Sequence, residues 1–258
     1  MSVRSKDNIF SKILWFDKRD RFDIDYFDLL LPCREVTQTK KYCSGLIHSA
    51  KSSRKIQYES ALELSFIKRL ETSKHVVFYW DQPVKIPYWR GRRKVTYTPD
   101  FGIYLASGHF VLSEVKELSG MLDYRVQMKT VALMEFCAKR GFGLLLTDGR
   151  HTPKDLLNGR VNRKLERELL AALAQNVLRQ PQCREIMEKC NATQHELFKA
   201  VIRLGLHFQP FPMKLNPELS PARYMPHCRT AIWIHRLLCN WKKQPVRHSS
   251  KDILFALS

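Results

Sequence analysis

Five short apolar segments follow one another between residues 75 and 116, and turn-forming residues separate most of them. The segments are residues 75–80, 84–89, 94–98, 101–105 and 109–116. Three of the breaks read Asp-Gln-Pro, Arg-Gly-Arg-Arg and Ala-Ser-Gly. Apolar segments of about 4–8 residues with such breaks are typical of β-strands. We therefore expect antiparallel strands to dominate the fold of this part of the chain.

Helical patterns lie on both sides of these strands. Residues 58–71 predict a helix whose apolar stripe also contains Glu59 and Glu63. Residues 123–140 predict a second amphipathic helix, and the apolar run at residues 142–147 is typical of a buried strand, as in parallel sheets. This order of elements predicts an α/β core with a mixed sheet flanked by helices.

The predicted core covers residues 51–150, and residues 51–55 read as a polar, basic linker at its start. Residues 1–50 are expected to pack as an extension on the core or on a partner. After residue 150 the pattern becomes mostly helical. The elements expected there are a long helix at residues 160–180, a shorter helix to Cys190, a third helix from an N-cap at Asn191-Ala192-Thr193 to Leu204, a proline-rich wing at residues 208–215 and a final helix at residues 231–241.

The second and third of these helices allow two interpretations. Joined by a tight polar turn, they resemble a helix-turn-helix whose recognition helix would expose Gln194, His195 and Lys199. They fit a small helical bundle equally well, because the proposed recognition helix is poor in arginine.

The charge of the chain bears on its partners. Forty-four Lys and Arg against 25 Asp and Glu give a formal net charge of +19, which attracts polyanions, nucleic acid first and an acidic membrane surface second. No segment approaches the roughly 18 apolar residues of a membrane span, so we expect a cytoplasmic protein and no membrane association. The seven cysteines form no CxxC pair, which favours reduced thiols, and no zinc site is expected.

Two basic groups are candidate DNA contacts. One is the turn between the second and third predicted strands, with Arg90, Arg92, Arg93 and Lys94, and the other is Lys242 with Lys243. Such side chains bind phosphates without reading base sequence; the alternative is that both groups are simply solvated. The nearby aromatic residues are expected in the core rather than as base-stacking surfaces: Tyr79, Trp80, Tyr88 and Trp89.

Four polar residues stand in the order that a metal-dependent nuclease requires. Glu63 lies on a predicted helix, Asp100 follows a proline, and Glu114 and Lys116 end a later strand on one face. Mg²⁺ prefers carboxylate oxygens and water as ligands, and a nearby ammonium can stabilise charge on an attacking water or a phosphate. Each of these sequence signals is weak by itself, since Glu114 and Lys116 could also form a surface ion pair. Their combination predicts a site that cleaves phosphodiester bonds.

The combination resembles the PD-(D/E)xK nuclease superfamily. More narrowly, four motifs in register are similar to the N-terminal domain of the TnsA-type transposon-end endonucleases, over roughly residues 55–150. The motifs are Tyr-Glu-Ser-Ala-Leu-Glu-Leu from Tyr58, Trp-Asp-Gln-Pro-Val from Trp80, Tyr-Thr-Pro-Asp-Phe from Tyr97 and Leu-Ser-Glu-Val-Lys from Leu112.

The resemblance implies a fold and a set of roles. It implies a restriction-endonuclease-like core followed by a mostly helical, winged-helix-like domain at residues 151–258. Glu63, Asp100 and Glu114 are implied as ligands of Mg²⁺, for which Mn²⁺ can substitute, together with the backbone carbonyl of Val115, and Lys116 as the catalytic lysine. Glu59 is either a second helix carboxylate or a cap or ion-pair partner of Arg54 or Lys55.

The resemblance also implies partners. Such an enzyme cuts the 5′ strands of double-stranded DNA at transposon ends in the bacterial cytoplasm, while a TnsB-type integrase cuts and joins the 3′ strands and a TnsC-type ATPase regulates both. Two alternatives stay open at the level of sequence. One is a stand-alone restriction-like or repair nuclease, and the other is a non-catalytic DNA-binding adaptor with a degenerate nuclease core.

Overall fold

The computed structural model describes residues 9–16, 44–90, 92–210 and 212–216. The predicted helix at residues 231–241 and the predicted DNA contacts Lys242 and Lys243 lie outside this part of the chain. Contacts between residues divide the chain into two compact units. Of the described residues, the first unit contains 9–16, 44–88, 95–118 and 129–152, and the second contains 89–90, 92–94, 119–128, 153–210 and 212–216.

The described part of the chain alternates strands and helices. The strands are β1 (Gly45–Ser49), β2 (Arg54–Tyr58), β3 (Val76–Asp81), β4 (Ile86–Arg90), β5 (Arg93–Tyr97), β6 (Phe101–Leu105), β7 (Phe110–Val115), β8 (Gly143–Thr147), β9 (Leu178–Arg179), β10 (His207–Gln209) and β11 (Lys214–Asn216). The helices are α1 (Ala61–Thr72), α2 (Leu118–Met121), α3 (Tyr124–Arg140), α4 (Arg163–Leu173), α5 (Gln180–Lys189) and α6 (Gln194–Arg203). None of these helices combines the length and the apolarity needed to cross a membrane.

A four-stranded mixed sheet forms the centre of the first unit. Its strand order is β3-β6-β7-β8, in which β6 is antiparallel to both β3 and β7, and β8 is parallel to β7. Two of these strands agree with the sequence pattern: β6 has the predicted bounds, and β8 lies within the apolar run that predicted a buried strand. The expectation of an α/β protein with a mixed sheet flanked by helices is therefore confirmed.

The core of this unit packs α1 against the sheet. Phe66, Ile67 and Leu70 of α1 are fully buried together with Tyr79 and Ile103 from the strands. Burial of large apolar side chains is the main favourable contribution to folding. This packing fixes the N-terminal end of α1 relative to the sheet.

Residues 9–16 also belong to this core. Leu14 and Leu144 exchange two backbone hydrogen bonds of 2.8 and 2.9 Å, which adds one bridge to the outer edge of β8. A Cβ at Gly143 would lie 2.7 Å from Ile13, so the close approach requires glycine there. These eight residues therefore pack on the first unit.

Two expectations at the start of the core are wrong. Residues 51–55 are not a linker: they contain the turn of the β1–β2 hairpin and the first residues of β2, and Tyr58 pairs with Gly45. The helix begins at Ala61 rather than at residue 58, because Ser60 caps it by accepting a hydrogen bond of 3.1 Å from the Glu63 N–H. Glu59 consequently precedes the helix and shares no helical face with Glu63.

The second unit contains α4, α5, α6 and a small sheet of order β10-β11-β9. The predicted long helix at residues 160–180 is wrong, because α4 ends at Leu173 and Leu178 pairs with Leu215 in the sheet. The predicted N-cap of the third helix is confirmed. Thr193 and Glu196 form a capping box at the start of α6.

Lys199 does not lie on an exposed surface of α6, contrary to the expectation for a recognition helix. The residue is 5% exposed, and its ammonium donates hydrogen bonds to the carbonyls of Asn158 and Gly159. Gln194 and His195, by contrast, are exposed. Lys199 therefore anchors a neighbouring loop inside the second unit, and the exposed residues of α6 include Gln194 and His195 in its first turn and Arg203 at its end.

Candidate active site

The start of β6 and the end of β7 meet at one edge of the sheet. Phe101 pairs with Ser113 in the antiparallel ladder, so Asp100, just before β6, lies beside the last residues of β7. The Asp100 carboxylate accepts a hydrogen bond of 2.7 Å from the Val115 N–H through Oδ2. Strand register therefore brings together three predicted site residues: Asp100, Glu114 and Lys116.

Lys116 lies between the two carboxylates. Its ammonium nitrogen is 3.1 Å from Oε1 of Glu114 and 3.5 Å from Oδ2 of Asp100. Burial alone would lower the pKa of Lys116, but the charges of Asp100, Glu114 and Glu63 outweigh it and raise this pKa. The side chain is therefore a cation at neutral pH and cannot take up a further proton.

Glu114 is held on its other side by a residue that sequence reasoning missed. The hydroxyl of Tyr97 donates a hydrogen bond to Oε2 of Glu114, which is 3% exposed. Burial, followed by the charges of Glu114 and Asp100, raises the pKa of Tyr97 well above its usual value, so the hydroxyl stays protonated. The signal was present in the sequence, because Tyr97 opens the Tyr-Thr-Pro-Asp motif that ends at Asp100.

The pKa of Asp100 reflects its burial and an excess of negative charge in the site. Burial, and next the charge of Glu114, raise its pKa to about 7, although Lys116 and the Val115 N–H act in the opposite direction. One ammonium does not fully compensate the carboxylates that surround it. A further positive charge would stabilise the ionised form of Asp100.

Glu63 has two roles at the start of α1. Its carboxylate accepts hydrogen bonds from the Ser60 hydroxyl at 3.0 Å and from the Glu59 N–H at 2.8 Å, which completes a capping arrangement. Burial and then the charge of Asp100 raise the pKa of Glu63, and the Glu59 N–H, the Ser60 hydroxyl and Lys116 partly offset this rise. Glu63 is thus electrostatically coupled to Asp100 and Lys116 while its oxygens stabilise the helix N-terminus.

Glu59 makes a different contact from those considered at the level of sequence. Its Oε1 accepts a hydrogen bond of 3.1 Å from the side-chain amide of Gln82. Arg54, one of its two suggested ion-pair partners, instead binds Asp81 at 2.6 Å. Glu59 therefore joins the loop before α1 to the end of β3.

The donor set at this edge fits a hard divalent cation. Asp100 and Glu114 supply carboxylate oxygens, and Mg²⁺ is commonly held by one or two carboxylates plus water. No group of three or more His, Cys, Asp or Glu side chains close enough to enclose a metal occurs within the described residues. Glu63 as a third carboxylate ligand therefore stays a prediction. The role of the Val115 carbonyl stays a prediction.

The predicted DNA contacts are only partly described. Arg92, Arg93 and Lys94 are exposed at the turn between β4 and β5, and Arg90 is the last residue of β4. Trp89 is 58% exposed, so its expected place in the core is wrong, whereas Tyr79 and Trp80 are buried as expected. The hairpin therefore presents cationic side chains and an indole ring at its surface.

No protein-family model and no curated protein sequence matches this chain. The four sequence motifs and the geometry of the site are therefore the observations on which a function is inferred.

Proposed function

We propose that this chain is a Mg²⁺-dependent DNA endonuclease that cuts the 5′ strands at transposon ends in concert with a TnsB-type integrase. One observation carries the proposal: at one edge of the sheet, strand register brings Asp100 and Glu114 to the same ammonium group, that of Lys116. The same residues belong to the motifs that resemble the TnsA-type endonucleases.

In this proposal Asp100 and Glu114 would hold the metal, with Glu63 as a third carboxylate and the Val115 carbonyl as an additional ligand. Bound Mg²⁺ would polarise the scissile phosphate and lower the pKa of a water molecule. The Lys116 ammonium, fixed by both carboxylates, stabilises negative charge that develops on the phosphate. Tyr97 keeps Glu114 in place, and Glu63 adds negative charge that favours the cation.

Two features of the architecture support this assignment. The mixed sheet with α1 packed against it, and acidic residues at one edge, is compatible with a restriction-endonuclease-like core. In the second unit, the order α4-β9-α5-α6-β10-β11 is compatible with a winged-helix-like domain in which β10 and β11 enclose the wing. A TnsC-type ATPase and the integrase would be the protein partners of such a chain.

The hairpin between β4 and β5 is expected to contribute to DNA affinity without affecting sequence preference. A variant with Arg92, Arg93 and Lys94 changed to Gln should bind DNA more weakly, with a salt dependence lower by about one counterion for each lost phosphate contact. Fluorescence anisotropy at several salt concentrations measures both quantities. The matched control changes the exposed residues Lys55, Lys68 and Lys74 to Gln, which removes the same charge from the first unit. Equal effects of the two variants would assign binding to net charge alone.

A strand-resolved cleavage assay tests the proposed function. We expect purified chain, integrase and Mg²⁺ to cut end-labelled transposon-end DNA at the 5′ strands, and we expect omission of the integrase to abolish this product. Sequence-specific cutting without the integrase would instead support a stand-alone nuclease. Absence of chain-dependent products under every condition would support the adaptor.

A further inference from the structure

Gln82 has an unusual backbone conformation next to the candidate active site. Its φ is 47°, in the left-handed region that favours glycine, and Pro83 follows it. Residues before proline prefer extended conformations, so this backbone is strained. Observed strain of this kind commonly marks a functional position.

The neighbours of Gln82 hold this conformation in place. Its backbone N–H donates a hydrogen bond of 2.9 Å to the carbonyl of Asp100, and its side-chain Nε2 donates one of 3.1 Å to Oε1 of Glu59. A carboxylate only accepts hydrogen bonds, so the amide nitrogen must face Glu59. The orientation of the amide is thereby fixed, and Oε1 points away from Glu59.

Oε1 of Gln82 is buried and accepts no hydrogen bond. Within the described residues it is the one buried side-chain nitrogen or oxygen without a partner. A buried acceptor without a donor is destabilising, so native proteins supply a donor, often an ordered water molecule. The atom therefore requires a donor that the described residues do not provide.

The residues that contact Gln82 link it to the carboxylates of the candidate active site. Glu59, its side-chain partner, donates its own N–H to Glu63, while Asp100 accepts the backbone N–H of Gln82. Gln82 thus joins the segment that carries Glu63 to the strand that carries Asp100. The Val115 N–H and the Lys116 ammonium both donate to Oδ2 of Asp100, and no described residue donates to its Oδ1.

We infer that Gln82 is a positioning residue whose Oε1 accepts a hydrogen bond from a water molecule that Glu63 or Asp100 also binds. The need for a donor at Oε1 follows from the contacts of Gln82 alone. Its role as the water delivered for phosphodiester cleavage rests on the proposed function. The sequence motif Trp-Asp-Gln-Pro-Val would then be part of the site rather than a turn signal only.

A crystal structure of the full chain at high resolution tests the water site without any cleavage assay. We expect an ordered water within about 3.2 Å of Gln82 Oε1 and of a carboxylate oxygen of Glu63 or Asp100. Three results would overturn the inference: no water at Oε1, a water that contacts no such carboxylate, or a protein donor at this position.

Two variants test the role of the side chain in the reaction. Gln82→Gly relieves the left-handed backbone and removes the amide, whereas Gln82→Met keeps the length of the side chain without the strong acceptor. We expect both to lower kcat on the order of 10- to 100-fold with little change in KM for DNA. Gln82→Gly should retain the wild-type melting temperature, which separates positioning from a structural role.

Ser53→Gly is the matched control, because Ser53 has a φ of 51° in the β1–β2 turn, is exposed and belongs to none of the site motifs. It should leave kcat unchanged. Wild-type kcat in both Gln82 variants, or losses that follow their melting temperatures, would overturn the positioning role. Complete inactivity of the wild-type chain would instead contradict the proposed function, and the crystal structure would still decide the water site.

Discussion

Replacing Asp100 with asparagine is expected to stabilise the metal-free protein at pH 8. The pKa of Asp100 is about 7 in the folded chain and 3.8 as the ordinary value. Between these two values the unfolded chain releases the proton first, so the contribution of Asp100 to stability is greatest below pH 4 and decreases as the pH rises to about 7. Asparagine carries no charge, so the Asp100→Asn variant does not lose stability in this way as the pH rises.

The magnitude follows from the size of the pKa change. A shift of one pKa unit corresponds to about 1.4 kcal/mol, which sets an upper limit of about 4 kcal/mol for the effect. The Asp100 side chain is 19% exposed, so solvent screens part of the penalty. We expect a gain of about 1–3 kcal/mol, or several degrees in melting temperature.

Calorimetry in EDTA between pH 4 and pH 8 measures this effect. The difference between Asp100→Asn and wild type should increase with pH up to about 7 and be near zero at pH 4. Glu117→Gln is the matched control, because it removes one negative charge from an exposed residue beside the site. A pH-independent difference, or a variant less stable than wild type at pH 8, would contradict the electrostatic description of Asp100.

Replacing Lys116 with methionine is expected to have the opposite effect on stability. The change leaves Asp100 and Glu114 without their shared cation, and removal of one partner from a partly buried ion pair is destabilising. Because Lys116 is 32% exposed, we expect a loss of about 1–3 kcal/mol rather than the larger values of fully buried pairs. Cleavage should decrease on the order of 10²- to 10³-fold.

A second substitution separates the two consequences. Lys116→Arg keeps the positive charge and should preserve the melting temperature, yet the planar guanidinium cannot replace a compact ammonium at the phosphate, so cleavage should remain low. The double variant Lys116→Met with Asp100→Asn should recover part of the lost stability, since the two residues interact directly. A stability change in the double variant equal to the sum of the two single changes would mean that the contact contributes nothing. Lys68→Met is the control for removal of an exposed lysine.

The sheet was predictable because its strands are short, apolar and separated by turn residues. The same pattern of short strands and turns predicted that Asp100, at the start of β6, lies near Glu114 and Lys116, at the end of β7, if the two strands are neighbours. Their ladder places Phe101 opposite Ser113. The proximity of Asp100, Glu114 and Lys116 was predictable because the local sequence pattern and the fold agree at this edge of the sheet.

Other features depend on tertiary contacts that no periodicity records. Glu59 was assigned to a helix because its spacing matched a stripe, but the Ser60 cap begins the helix after it. The long helix at residues 160–180 ends early because Leu178 pairs with Leu215, 37 residues later in the chain. Lys199 is buried because two loop carbonyls satisfy its ammonium. The errors at residues 160–180 and at Lys199 arose where a distant partner outweighed a local preference, whereas the error at Glu59 arose from a local cap at Ser60.

The most direct measurement is the single-turnover rate of 5′-strand cleavage by the full chain with its integrase, in Mg²⁺ and in EDTA. We expect cleavage by the wild type in Mg²⁺ only, with Mn²⁺ able to replace it, and we expect no product from Asp100→Asn even though this variant is the more stable protein. Equal cleavage by Asp100→Asn and wild type, or cleavage by wild type in EDTA, would contradict a metal-dependent site built on Asp100, Glu114 and Lys116.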